Sequence, residues 1–197
     1  AETFHELACT LVEDVCQEKI TRDEKEQLID HISNLRFIPG GRYLYYAGRD
    51  KKFFNNCYLL RAEEDSREDW ANLSWKSESC LMTGGGIGCD YSTYRPEGQT
   101  LRSTGGISSG PIPKMMMINE IGRRVMQGGS RRSAIYASLN WKHGDIYKFL
   151  EAKNWKDMPI GSTGQTIFDI KQDDFDFPAP LDMTNISVNY DTEWLLN

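Results

Sequence analysis

Cys57 lies in Asn55-Asn56-Cys57-Tyr58-Leu59-Leu60, and eight residues later Asp65-Ser66 opens an apolar-periodic helix that runs into Gly84-Gly85-Gly86-Ile87-Gly88. Each group has a possible chemistry. A thiol at a strand end inside a cleft can serve as thiolate or hydrogen donor. A carboxylate at a helix start can take a ribose hydroxyl or a base edge, and bare glycines let a ligand approach the backbone. Each also has a plain reading: a small buried hydrophobe for Cys57, an N-cap for Asp65-Ser66, a helix C-cap and tight turn for the glycines. The order helix, glycines, strand is the reverse of the dinucleotide-binding fingerprint, so a Rossmann site is excluded. In this order and at these spacings, the three together point to a nucleotide site containing a thiol.

Other groups are less decisive. Residues 95–111 are rich in glycine and serine, and loops of that length are uncommon unless they bind something. Arg95 and Arg102 in it suit a triphosphate, or are simply solvated. The Gly128-Gly129-Ser130-Arg131-Arg132-Ser133 turn binds an anion or connects elements. His143 reads as a surface or capping residue, and Met115, Met116, Met117 and Met126 as core or subunit interface. Cys80 and Cys89 have apolar neighbours and read as core; Cys9 and Cys16 share one helix face and read as structural.

The 197 residues allow one domain with a sizeable core, or two small ones. A hydrophobic fraction of 39% and a mean hydropathy of -0.57 describe a soluble globular chain, with no apolar run near the roughly 18–20 residues of a membrane span. The net charge of -6 argues against binding nucleic acid through charge. No secretory signal is evident at residues 1–5, and the five scattered cysteines contain no C-x-x-C pair, which together suggest a reducing cytoplasm and free thiols.

The elements that must position these residues follow from periodicity. Helices are expected over 3–18 and about 22–35, the second with Leu28, Ile32 and Leu35 on one stripe. Pro39-Gly40-Gly41 breaks the chain and Tyr43–Tyr46 reads as extended. Tyr58–Leu60 reads as a short buried strand, followed by a helix from Asp65-Ser66 to about Met82 and a strand over Ile87–Tyr91. Beyond the loop come a helix over about 112–126, a strand over Ala134–Leu139 and a helix over Gly144–Lys153. This alternation implies a mainly parallel sheet with helices packed outside. After 153 the pattern weakens: 173–178 reads as exposed loop, Ile186–Val188 as strand and 192–197 as the start of a helix.

Read end to end, the chain resembles the catalytic (large) subunit of ribonucleotide reductase. The resemblance rests on Pro39-Gly40-Gly41-Arg42, Asn56-Cys57, Asp65-Ser66, the 84–88 glycines, Arg95-Pro96-x-Gly98 and Gly105-Gly106-x-x-Ser109-Gly110-Pro111. It continues through Gln127-Gly128-Gly129-x-Arg131-Arg132-x-Ala134, His143-x-Asp145-Ile146 and Asn185-Ile186-Ser187-Val188. The Arg131-Arg132 form is most similar to the adenosylcobalamin-dependent class, with the iron-dependent class as competitor.

The resemblance implies an α/β fold, the first half of a ten-stranded barrel over 39–197, preceded by a helical segment over 1–38. It implies that Cys57 is one of two cysteines that reduce the ribose, with Asn56, Gly85 and Gly86 at the substrate. It places a dNTP or ATP effector at Asp65, Ser66, Arg95, Leu101 and Arg102, and a loop coupling effector to substrate near 181–185. It further implies a ribonucleoside di- or triphosphate substrate, adenosylcobalamin held mainly by parts outside this chain, a thioredoxin-like reductant, a homodimer and a complementing C-terminal fragment. The family's radical cysteine and the partner of Cys57 would lie beyond residue 197, so the chain alone is expected to be inactive. The long insertion of the monomeric cobalamin enzymes is missing before Ser109-Gly110-Pro111, which favours an effector bound across a dimer interface. A non-catalytic nucleotide-binding regulatory module is the alternative from another class.

Overall fold

A computed structural model describes residues 3–101, 105–125 and 133–196. They fall into two compact units, 1–56 and 57–197, against an expected boundary at 38/39.

In the first unit, α1 (Phe4–Cys16) and α2 (Arg22–Ser33) each begin with a capping box, Thr3 with Glu6 and Thr21 with Glu24. Each box satisfies two of the backbone N–H groups that a helix start leaves open. Ala8, Leu11, Val12 and Ile32 are the buried core of this pair. Leu35, expected on the α2 stripe, lies past the helix end at φ 57° and is exposed. Tyr43–Tyr46, expected to be extended, is instead part of a short helix, α3 (Gly41–Tyr46). The Gly40 carbonyl accepts from the N–H groups of Tyr43 and Leu44, and Tyr43 stacks on Phe54 with ring centroids 4.6 Å apart. Tertiary stacking of this kind overrides the strand preference of three tyrosines. It also ties residues 40–54 to the helical unit.

The second unit is built on a parallel sheet with strands in chain order: β1 (Cys57–Arg61), β2 (Gly86–Asp90), β3 (Ile135–Asn140) and β4 (Thr184–Asn189). Between them run α4 (Arg67–Met82), α5 (Pro111–Arg124), α6 (Ile146–Glu151) and α7 (Ile167–Asp173), and α8 (Thr192–Leu196) follows β4. Residues 155–157 and α7 give structure to a stretch whose pattern was weak. The start of α7 is set by a capping box of Thr166 and Asp169.

The sheet has two unlike faces. Ile87, Cys89, Ile135, Ala137 and Leu139 point to one side and pack with Leu73, Leu81, Met115, Ile118 and Phe149 of the helices. On the other side Leu59 is 81% and Tyr136 38% exposed. This explains why β1, expected to be buried, alternates between exposed and half-buried residues. Side chains alternate with period two, and among the described residues of this unit the helices pack against one face.

Candidate functional site

Cys57 is the first residue of β1 and pairs in register with Gly86. It is the exposed cysteine of the five; Cys89 is buried, and Cys9, Cys16 and Cys80 are half-buried. A Cβ built on Gly86 would stand 3.7 Å from the Cys57 sulfur, so the bare glycine leaves the thiol open to the uncovered face. One row along, Gly88 lies between Leu59 and Tyr136: a Cβ there would meet their side chains at 3.4 and 3.3 Å. The result is a groove of about 430 Å³ floored by Gly86 and Gly88 and walled by Cys57, Leu59, Tyr136 and Asn185. Such a volume suits a small ligand. Burial pushes the thiol of Cys89, the other sheet cysteine, up to about 11.

The two glycines assigned to substrate differ in placement. Gly86 is in the groove, whereas a Cβ on Gly85 would run into the Tyr58 ring at 2.4 Å, behind the sheet. Gly84 makes the tight turn between α4 and β2 at φ 82°. Asn56 is the last residue of the helical unit and is exposed.

The effector candidates gather at the other end of β1. Ser66 caps α4 by accepting from the Asp69 N–H at 3.1 Å. The Asp65 carboxylate accepts from the Trp70 indole N–H at 2.9 Å and is ion-paired with the Arg95 guanidinium, which also donates to the Asp65 carbonyl at 2.7 Å. The Tyr94 ring packs on Trp70 at 4.3 Å. The loop expected over 95–111 is largely a hairpin. Thr100 bridges Ile107, Gly98 donates to Ser108, and Leu101 both donates to Gly106 and accepts from Gly105. Asp65, Ser66 and Arg95 thus come together, and Leu101 lies in the paired segment that follows Arg95. Arg102 and the 126–132 turn lie outside the described residues.

Residues beyond the expected set hold this arrangement. Asp145 is 5% exposed, and its carboxylate accepts from the Glu97 N–H at 2.8 Å. The Asp145 N–H donates to His143 Nδ1 at 3.0 Å, which leaves His143 Nε2 to donate to the Tyr94 carbonyl at 2.6 Å. His143 and Asp145 therefore clamp the base of the hairpin. The His143-x-Asp145 spacing was visible in the sequence as a cap, but its target 48 residues away was not.

Tyr136 of the groove was likewise missed, and Asn185 was expected in the coupling segment 181–185 and not as a wall of the groove. Strand alternation assigns them to the Cys57 face only once the parallel register Gly88↔Tyr136↔Asn185 is known.

The segment expected to couple the sites, 181–185, is firmly held. Leu181 is fully buried, Asp182 makes two 2.6 Å bonds with Arg123, and Asn119 accepts from Met183 N–H and the Thr184 hydroxyl. Burial works against the Asp182 charge, but the Arg123 bonds prevail and hold its carboxyl below the usual range. Among the described residues, no group of three His, Cys, Asp or Glu side chains could hold a metal ion, and no helix is long and apolar enough to cross a membrane.

Residues 55–163 match the family model described as ribonucleotide reductase, barrel domain. The chain belongs to this family. Within the ribonucleotide reductases, it is 33% identical over 141 residues to the vitamin B12-dependent ribonucleoside-diphosphate reductase of Mycobacterium tuberculosis, covering 72% of this chain and 20% of that protein. It is 32% identical over 123 residues to the enzyme of the same name from Thermoplasma acidophilum, covering 62% and 16%. With the ribonucleoside-diphosphate reductase large subunit of Arabidopsis thaliana the figures are 30% over 138 residues, 68% and 17%. The chain therefore spans a fifth or less of these relatives. The fold is similar to that of the Actinobacillus ureae class Id ribonucleotide reductase alpha subunit, with a TM-score of 0.74 at 15% identity over all of this chain and 31% of that one.

Proposed function

We propose that this chain is the portion of a ribonucleotide reductase catalytic subunit that supplies one reducing thiol to the substrate ribose and carries the dNTP effector site. The observation that carries this reading is the exposed Cys57 sulfur beside the bare Gly86 in a nucleoside-sized groove. The chemistry calls for two thiols: the 2'-hydroxyl leaves as water, a hydrogen takes its place on carbon, and the two S–H groups become one disulfide. Both electrons come from sulfur. The described lining of the groove contains no second cysteine, so the partner sulfur belongs to other parts of the complete enzyme. Turnover then requires an external dithiol of the thioredoxin type to reduce the disulfide by exchange, and Cys57 is accessible to one.

The second site, at the far end of β1, accounts for the effector. Asp65 and Arg95 are already paired to each other, so a nucleotide sugar or phosphate binds by displacing part of that pair. Coupling between the two sites is allosteric in the thermodynamic sense, effector and substrate each altering the other's affinity. Exposed Trp75 and Met82 on α4, and Met116 and Met117 on α5, supply an apolar surface for a second copy of the subunit.

The names of the two B12-dependent relatives support adenosylcobalamin as radical source. Nothing in the groove itself is built to hold that group. Its walls are one thiol, apolar side chains, a phenol and an amide. The cofactor is accordingly assigned to other parts of the enzyme, where it would supply the radical that activates the ribose.

The test is Cys57→Ser in the assembled reductase, with cytidine 5'-diphosphate and cytidine 5'-triphosphate as substrates. Deoxynucleotide formation is expected to vanish while nucleotide binding persists. Undiminished turnover would overturn the reading.

A further inference from the structure

We infer that Tyr136 is a substrate-positioning residue whose ring forms the aromatic wall of the Cys57 groove and stacks on the nucleoside. The inference rests on the reductase reading of that groove. Tyr136 and Leu59 flank Gly88 on the uncovered face, and Asn185 is the register neighbour of Tyr136 on β4. A tyrosine on a sheet face normally packs against a cross-strand side chain. Here the neighbour on β2 is glycine, and the ring leans over it: a Cβ at position 88 would lie 3.3 Å from Tyr136 Cδ1. The ring is 38% exposed and presents a flat apolar surface to the cavity.

The geometry gives the ring a defined distance from the thiol row. Cys57 and Gly86 form one cross-strand row; Leu59, Gly88 and Tyr136 form the next on the same face. Two residues of strand separate the rows by about 6.6 Å. A ligand whose sugar lies over Gly86, at the sulfur, therefore extends its rings over Gly88 and against Tyr136. The phenol hydroxyl has no part in this contact; the flat ring does, so affinity follows aromaticity rather than hydrogen bonding.

The experiment measures KM and kcat for cytidine 5'-diphosphate and cytidine 5'-triphosphate in the assembled reductase, with Cys57→Ser run beside each variant. Tyr136→Ala is expected to raise KM about tenfold with kcat little changed, equivalent to about 1.4 kcal/mol of binding. Tyr136→Phe is expected to restore the affinity. Tyr136→Leu keeps bulk without a flat ring and serves if alanine destabilises the sheet; it is expected to raise KM as alanine does. Gly88→Ala, which pushes the ring out of place, is expected to raise KM as well. If Tyr136→Ala and Tyr136→Leu leave KM unchanged, or Tyr136→Phe fails to restore it, the inference is overturned. Should that happen while Cys57→Ser still abolishes turnover, the reductase reading stands; turnover by Cys57→Ser removes both.

Discussion

Cys57 and Cys89 occupy neighbouring strands and face opposite sides of one sheet: Cys57 pairs with Gly86 on the groove face, and Leu60 with Cys89 on the core face. Burial pushes the Cys89 thiol from 9.0 to about 11. It is a small core residue with a Ser77 hydroxyl 3.8 Å away, not a nucleophile. A thiol whose folded pKa is raised contributes stability that is fully present below its unfolded pKa and is lost as pH rises through the folded one. The gap between 9.0 and about 11 is worth roughly 3 kcal/mol. Lys114 titrates in the opposite sense, since burial pushes its ammonium down, so total stability is a poor reporter. The difference between wild type and Cys89→Ala isolates the thiol. Followed by urea denaturation, that difference is expected to be constant up to pH 9 and to shrink by pH 11. A difference independent of pH would show that Cys89 is solvated in the folded protein.

At the scale of elements, the hairpin that begins at Arg95 depends on a clamp formed elsewhere. Gly110 starts α5 at φ 75° and ψ -179°, a region open essentially to glycine alone. A Cβ there would also lie 2.7 Å from the Asp145 carboxylate that holds Glu97. Gly110→Ala is expected to cost about 1–3 kcal/mol and to weaken dNTP binding at the Asp65–Arg95 pair. A thermal melt with and without dATP checks both, and an unchanged melting temperature together with an unchanged dATP response would count against the clamp. Much of this architecture is legible in sequence. Asp65-Ser66 and the apolar period locate α4, the helix expected over about 112–126 is α5 (Pro111–Arg124), and the alternation of strand and helix gives the parallel sheet. The remainder depends on long-range partners. Tyr43–Tyr46 turns helical because Tyr43 stacks on Phe54. The hairpin base needs Asp145 from another element, and Tyr136 enters the groove only through the β2–β3 register. Local propensity contains none of that information.

Over the whole molecule, the apolar surface left open on α4 and α5 bears on assembly. Trp75 and Met82 are seven residues apart on α4 and so share a stripe, exposed at 66% and 67%; Met117 on α5 is exposed at 60%. Ser66, Asp65 and Trp70 stand at the start of α4, so a second subunit covering this helix would lie close to the proposed effector residues. Effector binding and subunit pairing would then reinforce each other by linkage. Met117→Glu tests the connection. In this chain the side chain is exposed, where substitution changes stability by about 0.5 kcal/mol at most. At an apolar interface, an unpaired buried carboxylate costs several kcal/mol. Sedimentation of the assembled reductase with dTTP is expected to show a dimer for wild type and a monomer for the variant, with dTTP affinity falling in parallel and the melting temperature of the subunit unchanged. A Met117→Glu enzyme that remains dimeric would move the interface off α5. A monomer that binds dTTP as tightly as wild type would separate pairing from the effector site.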